Sequence, residues 1–358
     1  MTEGTLRNLT RELCSLRDRD SVNFIWHGGE PLLMGVDFYR EAVALQEHFK
    51  DGKLIQNSIQ SNVSLVNDEF LSFSETNKIN IGSSLDGPEE IHNLTRVYPD
   101  GSGTFSDVWA GLQLIRQRNL KIRKERFRDG KQRNLGGGAI TILSRKNIER
   151  IDVVYDFFAM HGLSMKINPL IKSGRAIEDF EELGIGPSEY GLALVKLFDR
   201  WYHEPGEGID VDPLSDIIGN LVTGNPIGCN FSETCRRTFV SIGPQGDVYP
   251  CGRFDGVREY RFGNINNDGL ESMLNSDLSA RINSRTADTV AGCSACDYKK
   301  ICNAGCIHNA YLDKGDIMDK DSYCPSYKIL FKHIDKEIRR EVSEATIGAC
   351  LSDERICK

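Results

Sequence analysis

Thiols dominate the chemistry that this sequence can do. Cys293, Cys296, Cys302 and Cys306 are spaced C-x2-C-x5-C-x3-C, and Cys324 follows further on. Upstream, Cys229, Cys235 and Cys251 add three more, the last in Tyr249-Pro-Cys-Gly252 just after an expected hairpin over Val240 to Val248. Ligands this close in sequence converge at small loop-closure cost. Eight thiolates suffice for two four-cysteine iron-sulfur cubanes, yet four-thiolate zinc sites use the same C-x2-C pairs. Spacing alone leaves iron-sulfur and zinc open, with disulfides as a third reading. The total of eleven cysteines is odd, and in a reducing compartment cysteines serve more often as metal ligands than as disulfides. The first 228 residues hold only Cys14, which reads as core filling on a helix.

Positioning such groups requires a scaffold, and the first half of the chain supplies one. Leu6, Leu9, Leu13 and Leu16 mark an amphipathic helix over residues 2 to 17. Val22 to Trp26 is a short apolar run closed by Gly28-Gly29, hence a buried strand. The alternation continues with a helix over Asp37 to Phe49, a strand over Leu54 to Gln60, a helix over Asp68 to Ser74, a strand over Ile79 to Ser84 and a helix over Phe105 to Gln117. Strands at Ala139 to Leu143 and Met165 to Asn168 open two more strand-helix pairs. This rhythm predicts a parallel sheet, whose ligands gather at the carboxyl ends of the strands. Those ends read His27-Gly-Gly-Glu-Pro31, Ser61-Asn62 and Ser84-Leu-Asp-Gly87, all on one rim. Taken singly, each is also an ordinary solvent-facing turn.

Residues 184 to 222 read as helices with acidic loops, including Glu204-Pro-Gly-Glu-Gly208. Beyond Gly228, cysteine, glycine and turn residues prevail, as expected where metal replaces a large apolar core. A helix over Tyr327 to Glu344 closes the chain. These patterns divide it into residues 1–183, a connector at 184–227, a cysteine-rich domain at 228–325 and a terminal helix and tail at 326–358. A length of 358 residues also argues for about two domains. No apolar run reaches the length of a membrane span, and residues 1–20 lack the basic start and apolar centre of a secretory signal. The cytoplasm is the expected compartment. A net charge of −8 argues against a nucleic-acid partner. The basic stretch Lys121 to Arg133 reads as a solvated loop, with an acidic peptide or phosphate contact as the alternative.

The segment from Cys229 to Cys324 resembles the SPASM domain that accompanies many radical S-adenosylmethionine (SAM) peptide-modifying enzymes. That resemblance implies two auxiliary 4Fe-4S clusters with interleaved ligands, Cys229, Cys235, Cys251 and Cys306 on one and Cys293, Cys296, Cys302 and Cys324 on the other. Trp26-His-Gly-Gly-Glu-Pro-Leu-Leu33 is similar to the motif that binds the SAM amino group in the radical SAM barrel, which assigns Gly28, Gly29, Glu30 and Pro31 to the cofactor. The chemistry is apt, because glycines admit a ligand to the backbone and a carboxylate complements an ammonium. Ser84-Leu-Asp-Gly-Pro88, followed by His92 and Arg96, resembles the segment that holds the SAM carboxylate, a role carried here to Ser84 and Arg96. Gln60, Ser61 and Asn62 resemble another cofactor-facing segment, and Asn168 to Leu170 one that passes near the adenine. The implied partners are a peptide or protein substrate and a low-potential electron donor such as flavodoxin or ferredoxin.

The sequence departs from this family in two places. Radical SAM enzymes carry C-x3-C-x2-C after the first barrel strand to hold the cluster that SAM chelates, and no such triad occurs before Gly28. The expected fold is therefore α/β, an incomplete (β/α)6 radical SAM partial barrel lacking its first strand, plus a C-terminal SPASM iron-sulfur domain. An internal methionine taken as the start or a split gene is favoured over truncation or natural loss. The chain alone is expected to be inactive in SAM cleavage and to behave poorly in solution. Secondly, sulfatase-maturing relatives place an aspartate base beside the equivalent of Cys251, where this chain has Gly252, with Asp255 three residues on. That disfavours formylglycine formation and favours peptide-crosslinking maturases. A non-catalytic electron-relay or peptide-binding protein is the alternative.

Overall fold

The computed structural model describes residues 1–126, 137–204, 208–232 and 235–352. The described chain falls into two compact units, Met1–Asn168 with Thr234–Ser284, and Pro169–Glu233 with Arg285–Lys358. The cysteine-rich segment is thereby divided between them.

The first unit begins with α1 (Glu3–Ser15), whose Thr2 cap accepts a hydrogen bond from the Thr5 amide at 3.2 Å. Then follow β1 (Ser21–Trp26), α2 (Gly35–Phe49), β2 (Leu54–Gln60), α3 (Asp68–Thr76), β3 (Asn80–Ser84), α4 (Glu89–His92), α5 (Phe105–Arg126), β4 (Gly138–Leu143), α6 (Ile151–Met160) and β5 (Ser164–Pro169). In this unit the sheet order is β1-β2-β3-β4-β5. The β1–β2, β2–β3 and β3–β4 pairs are all parallel, with Ser21 opposite Leu54 and Trp26 opposite Ile59. Parallel pairing brings the strand ends to one rim, as the alternating pattern predicts.

Two departures from the sequence pattern stand out. Helix α5 runs on to Arg126, so the Lys121–Arg126 part of the basic stretch is helical backbone, while residues 127–136 lie outside the described residues. Lys and Arg are good helix formers, so a basic run can continue a helix without an apolar period in the sequence. The second unit contains α7 (Ala176–Leu183), α8 (Pro187–His203), the two-residue strand β6 (Val211–Asp212) and α9 (Leu214–Thr223). That strand interrupts the stretch expected to be helical, and two residues are too few to show a period.

Returning to the first unit, α10 (Cys235–Thr238) precedes the antiparallel strands β7 (Ser241–Ile242), β8 (Asp247–Tyr249) and β9 (Gly263–Asn264), followed by α11 (Leu270–Leu274) and α12 (Asp277–Asn283). The hairpin forms where it is expected. One apolar core joins it to the parallel sheet: Leu6 and Leu9 of α1, Val22 and Phe24 of β1, Val248 of β8, and Leu270 and Met273 of α11 pack together. A polar contact reinforces it, the Leu270 amide donating to Glu12 Oε2 at 3.1 Å.

The second unit ends with α13 (Lys299–Cys302), α14 (Ile307–Lys314) and α15 (Cys324–Ser352). Helices α8 and α15 cross closely because Gly191 faces Ser326, where a Cβ would come within 2.8 Å of its Cα. Leu194, Leu197, Phe198, Leu330, Phe331 and Ile334 are buried in this unit. Among the described residues no helix is long and apolar enough to cross a membrane.

Leu6 is fully buried in the joint core of the first unit. Truncating it should leave a cavity, and Leu6→Ala is expected to cost about 3 kcal/mol, read as a lower urea midpoint of the folded chain.

Candidate functional site

The rim of the parallel sheet is tied together by one carboxylate. Glu30 follows β1 and caps the short turn Pro31–Met34, its Oε1 accepting from the Leu32 amide at 2.9 Å. The same oxygen accepts from Ser61 Oγ at 2.7 Å, and Oε2 accepts from the Asn62 amide at 2.9 Å. Glu30 thus bridges the ends of β1 and β2, and charge-assisted bonds of this kind are the stronger ones. Gly28 has φ +92, which explains its residue type, and open space lies where a Cβ would stand at both Gly28 and Gly29. Tyr39 Oη donates to the Pro31 carbonyl at 2.7 Å, and burial together with Glu30 holds its hydroxyl well above the usual range.

Beyond β2 the backbone is held out of its preferred region. Val63 has φ 59, an outlier for a β-branched residue. Its amide donates to Ser61 Oγ at 2.8 Å, and its carbonyl faces Gly111 of α5, where any Cβ would clash. Asn62 turns its Oδ1 to the Ser64 amide at 3.0 Å and hydroxyl at 2.8 Å. Gln60 reaches across to β3, donating to the Ser83 carbonyl at 3.0 Å and to Ser84 Oγ at 3.2 Å. Gly82 leaves room for that side chain, since a Cβ there would strike Gln60 Oε1.

The third strand end carries a network that centres on Asp86. This residue is 2% exposed, and its carboxylate takes Arg96 Nε at 2.6 Å and Nη2 at 3.1 Å, with the Ile142 amide at 2.9 Å. The Asp86 amide donates to His92 Nδ1 at 3.2 Å. His92 Nε2 lies 3.0 Å from Thr104 Oγ1, whose own hydrogen goes to the Arg96 carbonyl. These roles fix His92 as the neutral Nε2–H tautomer, and burial pushes its pKa down to about 4. Arg96 Nη1 has no hydrogen-bond partner among the described residues. Asp86, His92 and Thr104 are therefore the positioning groups behind Arg96. Sequence reading singled out Arg96 but not Asp86, although an acid ten residues before an arginine was in plain view.

Thiols form the second centre, within the second unit. Cys293, Cys296, Cys302 and Cys324 line one recess together with Tyr298, Tyr327, Phe331 and Lys328. Short turns bring them there: the Cys296 amide donates to the Cys293 carbonyl at 3.0 Å, and the Cys302 amide to that of Tyr298 at 3.0 Å. Burial, with Asp321 and the neighbouring thiols, drives Cys302 far above the ordinary thiol range, so its thiolate needs a cationic group beside it. Among the described residues no three Cys, His, Asp or Glu side chains close on a single-ion position. The thiols are brought to one recess without meeting at one point. Of the other four, Cys235 and Cys251 belong to the first unit and Cys229 and Cys306 to the second. Cys251 caps the turn Gly252–Phe254, and Asp255 is exposed. Asn168 is the penultimate residue of β5, and the Leu170 carbonyl accepts from Tyr323 Oη at 3.3 Å.

A parallel sheet with a polar, carboxylate-bridged rim, in a chain that also gathers thiols around a recess, defines an α/β protein of the radical SAM type with a cysteine-rich auxiliary domain. Comparison with known proteins agrees. Residues 229–297 match the SPASM family, described as an iron-sulfur cluster-binding domain. The chain is 25% identical over 321 residues to the cysteine-type anaerobic sulfatase-maturating enzyme of Clostridium novyi (strain NT), covering 88% of this chain and 81% of that protein. It is 25% identical over 377 residues to the serine-type anaerobic sulfatase-maturating enzyme of Bacteroides thetaiotaomicron, covering 99% and 87%. Native anSMEcpe with bound AdoMet superposes with a TM-score of 0.80 at 22% identity, covering 96% of this chain and 91% of that one. The same protein is also solved with bound AdoMet and Cp18Cys peptide. Residues 229–297 thus belong to the SPASM family, and over most of its length the chain is similar to radical SAM/SPASM maturases.

His92 makes folding pH-dependent. Its folded pKa is depressed from 6.5 to about 4, so the unfolded chain binds more protons between those values. The neutral-imidazole contribution is complete above about pH 6.5 and falls away as pH drops through about 4, up to about 3 kcal/mol in all. His92→Gln, which cannot titrate, should flatten the dependence of the denaturant midpoint on pH across this window.

Proposed function

We propose that this chain takes part in modifying a side chain of a peptide or protein by SAM-dependent hydrogen abstraction, with no C-x3-C-x2-C triad in its sequence to hold the cluster that SAM chelates. Glu30 with Ser61 and Asn62, and Ser84 with Arg96, form its SAM rim. Two auxiliary 4Fe-4S clusters complete the site set, one on Cys293, Cys296, Cys302 and Cys324, the other on Cys229, Cys235, Cys251 and Cys306. The observation that carries this reading is the recess lined by four cysteines from a C-x2-C-x5-C array and the start of α15. A four-iron cube presents one iron to each of four separate thiolates, which suits thiols spread around a recess.

SAM held on this rim would supply the abstracting radical only once reduced by a cluster with an open iron, for which this sequence has no C-x3-C-x2-C triad, and the auxiliary clusters would accept or relay electrons. The protein's part lies in position and charge. The Nη1 of Arg96 would meet a carboxylate, while Asp86 fixes the guanidinium through Nε and Nη2. The Gly28–Gly29 backbone, open on its Cβ sides, leaves an ammonium room to approach main-chain carbonyls. Glu30 has both carboxylate oxygens committed to the β1 and β2 ends, so its first task is to fix the rim. The relatives' names, and the peptide complex of one of them, support a peptide partner. A low-potential donor such as flavodoxin or ferredoxin would supply electrons. The position beside Cys251 is Gly252, which separates the expected substrate from that of enzymes with an aspartate base there.

A second reading rests on the sequence itself, which contains no C-x3-C-x2-C triad. On that reading the 358-residue chain binds SAM or a peptide and relays electrons without cleaving SAM.

Anaerobic reconstitution tests the first reading. About eight irons and eight sulfides per chain are expected, whereas stoichiometric zinc without labile sulfide would remove both cluster readings. Arg96→Lys keeps a charge for Asp86 but loses the planar fork, and is expected to weaken SAM binding about tenfold by equilibrium dialysis. Reductive SAM cleavage by this same chain would contradict the relay reading.

A further inference from the structure

Between Cys302 and Cys306 the chain turns through three consecutive left-handed residues, Asn303 at φ 48, Ala304 at φ 64 and Gly305 at φ 72. Glycine and asparagine visit this region readily, whereas alanine does so only where its surroundings force it. Ala304 is buried, packed with Ala287, Val290 and Cys293. Something must hold this turn, because it separates two neighbouring thiols that the proposed ligation sends to different clusters.

The holding group is Arg285, the largest fully buried side chain of the protein's described residues. Its guanidinium donates to four main-chain carbonyls: Nη2 to Ala304 at 2.7 Å and to Asp319 at 3.0 Å, Nη1 to Gly305 at 3.0 Å, and Nε to Ile317. Two of the four belong to the left-handed turn, and the others to the segment leading to Cys324. Asp321 accepts from the Cys306 amide at 2.7 Å and the Tyr323 amide at 2.7 Å. It also presses against Gly305, where a Cβ would meet the Asp321 Cβ at 2.6 Å. The charge of Arg285 acts on Cys293, Cys302 and Cys306. Asn303 adds a buried Nδ2 donor without a partner in the described structure.

We propose that Arg285 is a positioning residue for the auxiliary clusters, locking the strained Asn303–Gly305 turn so that Cys302 and Cys306 diverge before metal arrives. This rests on the cluster reading above. Arginine suits the role because a rigid, permanently charged fork reaches several carbonyls at once, which a lysine ammonium on a flexible stem cannot do.

The test compares the wild-type chain with Arg285→Lys and with Arg285→Lys/Ala304→Gly, each reconstituted with iron and sulfide. Iron and sulfide per chain, the midpoint potential and the far-UV circular dichroism of the metal-free protein are measured. Arg285→Lys should lose half or more of the bound iron, from about eight to about four or fewer, with an unchanged metal-free spectrum. Adding Ala304→Gly should restore iron, because glycine adopts the left-handed turn without the lock. A residue that merely fills the core would not be rescued in this way. Full iron and an unshifted potential in Arg285→Lys would overturn the proposal, as would loss of iron that glycine fails to restore. A wild-type chain that takes up no iron would instead remove the cluster reading itself.

Discussion

A carboxylate that accepts main-chain amides, buried at Asp86 and Asp321 and half-buried at Glu30, is the device on which both halves of this protein depend. Strand ends and metal-binding turns leave amides without partners, and an ionised acid placed among them satisfies several at once while fixing their directions. Glu30 does this between β1 and β2, Asp86 between β3 and the β4 backbone at Ile142, and Asp321 between Cys306 and Tyr323. Each acid also meets a second polar group, the Ser61 hydroxyl, Arg96 and Asn309 respectively. Removing any one would leave several groups unsatisfied rather than a single bond broken, which is why these loops are held as units.

The rim shows how a site can be stiff where it faces a ligand. Val63 sits in a backbone region that its side chain disfavours, held by Ser61 below and by close passage against Gly111 behind. Strain of this kind persists only where neighbours over-determine it. The same holds for Ala304 in the second unit. In both cases the strained residue stands next to groups assigned to ligand binding, and a buried polar side chain supplies the restraint.

Burial of thiols sets the second constraint. Desolvation and mutual repulsion raise the cost of a thiolate, as Cys302 shows, so a cysteine array of this kind is stable as thiolates only with compensating positive charge. Arg285 contributes a permanent share of that charge, and Lys320 and Lys328 also act on Cys293. Similarity to radical SAM/SPASM maturases accounts for why such an array accompanies a parallel sheet. It does not by itself account for the particular way this chain secures its turns.

Sequence alone determined whatever a local pattern can express. Strand β1 was readable to within one residue because an apolar run ended in Gly28-Gly29, and the rim followed from parallel topology, so Gly28–Pro31, Ser61 and Ser84 could be named from the sequence. Cysteine spacing likewise pointed to metal. Tertiary structure alone decided how those residues are spent. Glu30 reads as a ligand in sequence but is committed to two strand ends, and Arg96 is shared with Asp86, because hydrogen-bond partners ten to thirty residues apart leave no periodic trace. The two-residue strand β6 and the extension of α5 escaped for the same reason, being set by neighbours and by backbone continuity rather than by an apolar face. Arg285 was the least legible of all: in the polar stretch Asn283-Ser-Arg-Thr286 it looks solvated, and only the fold shows it buried against four carbonyls, since burial is a property of surroundings that no single residue carries.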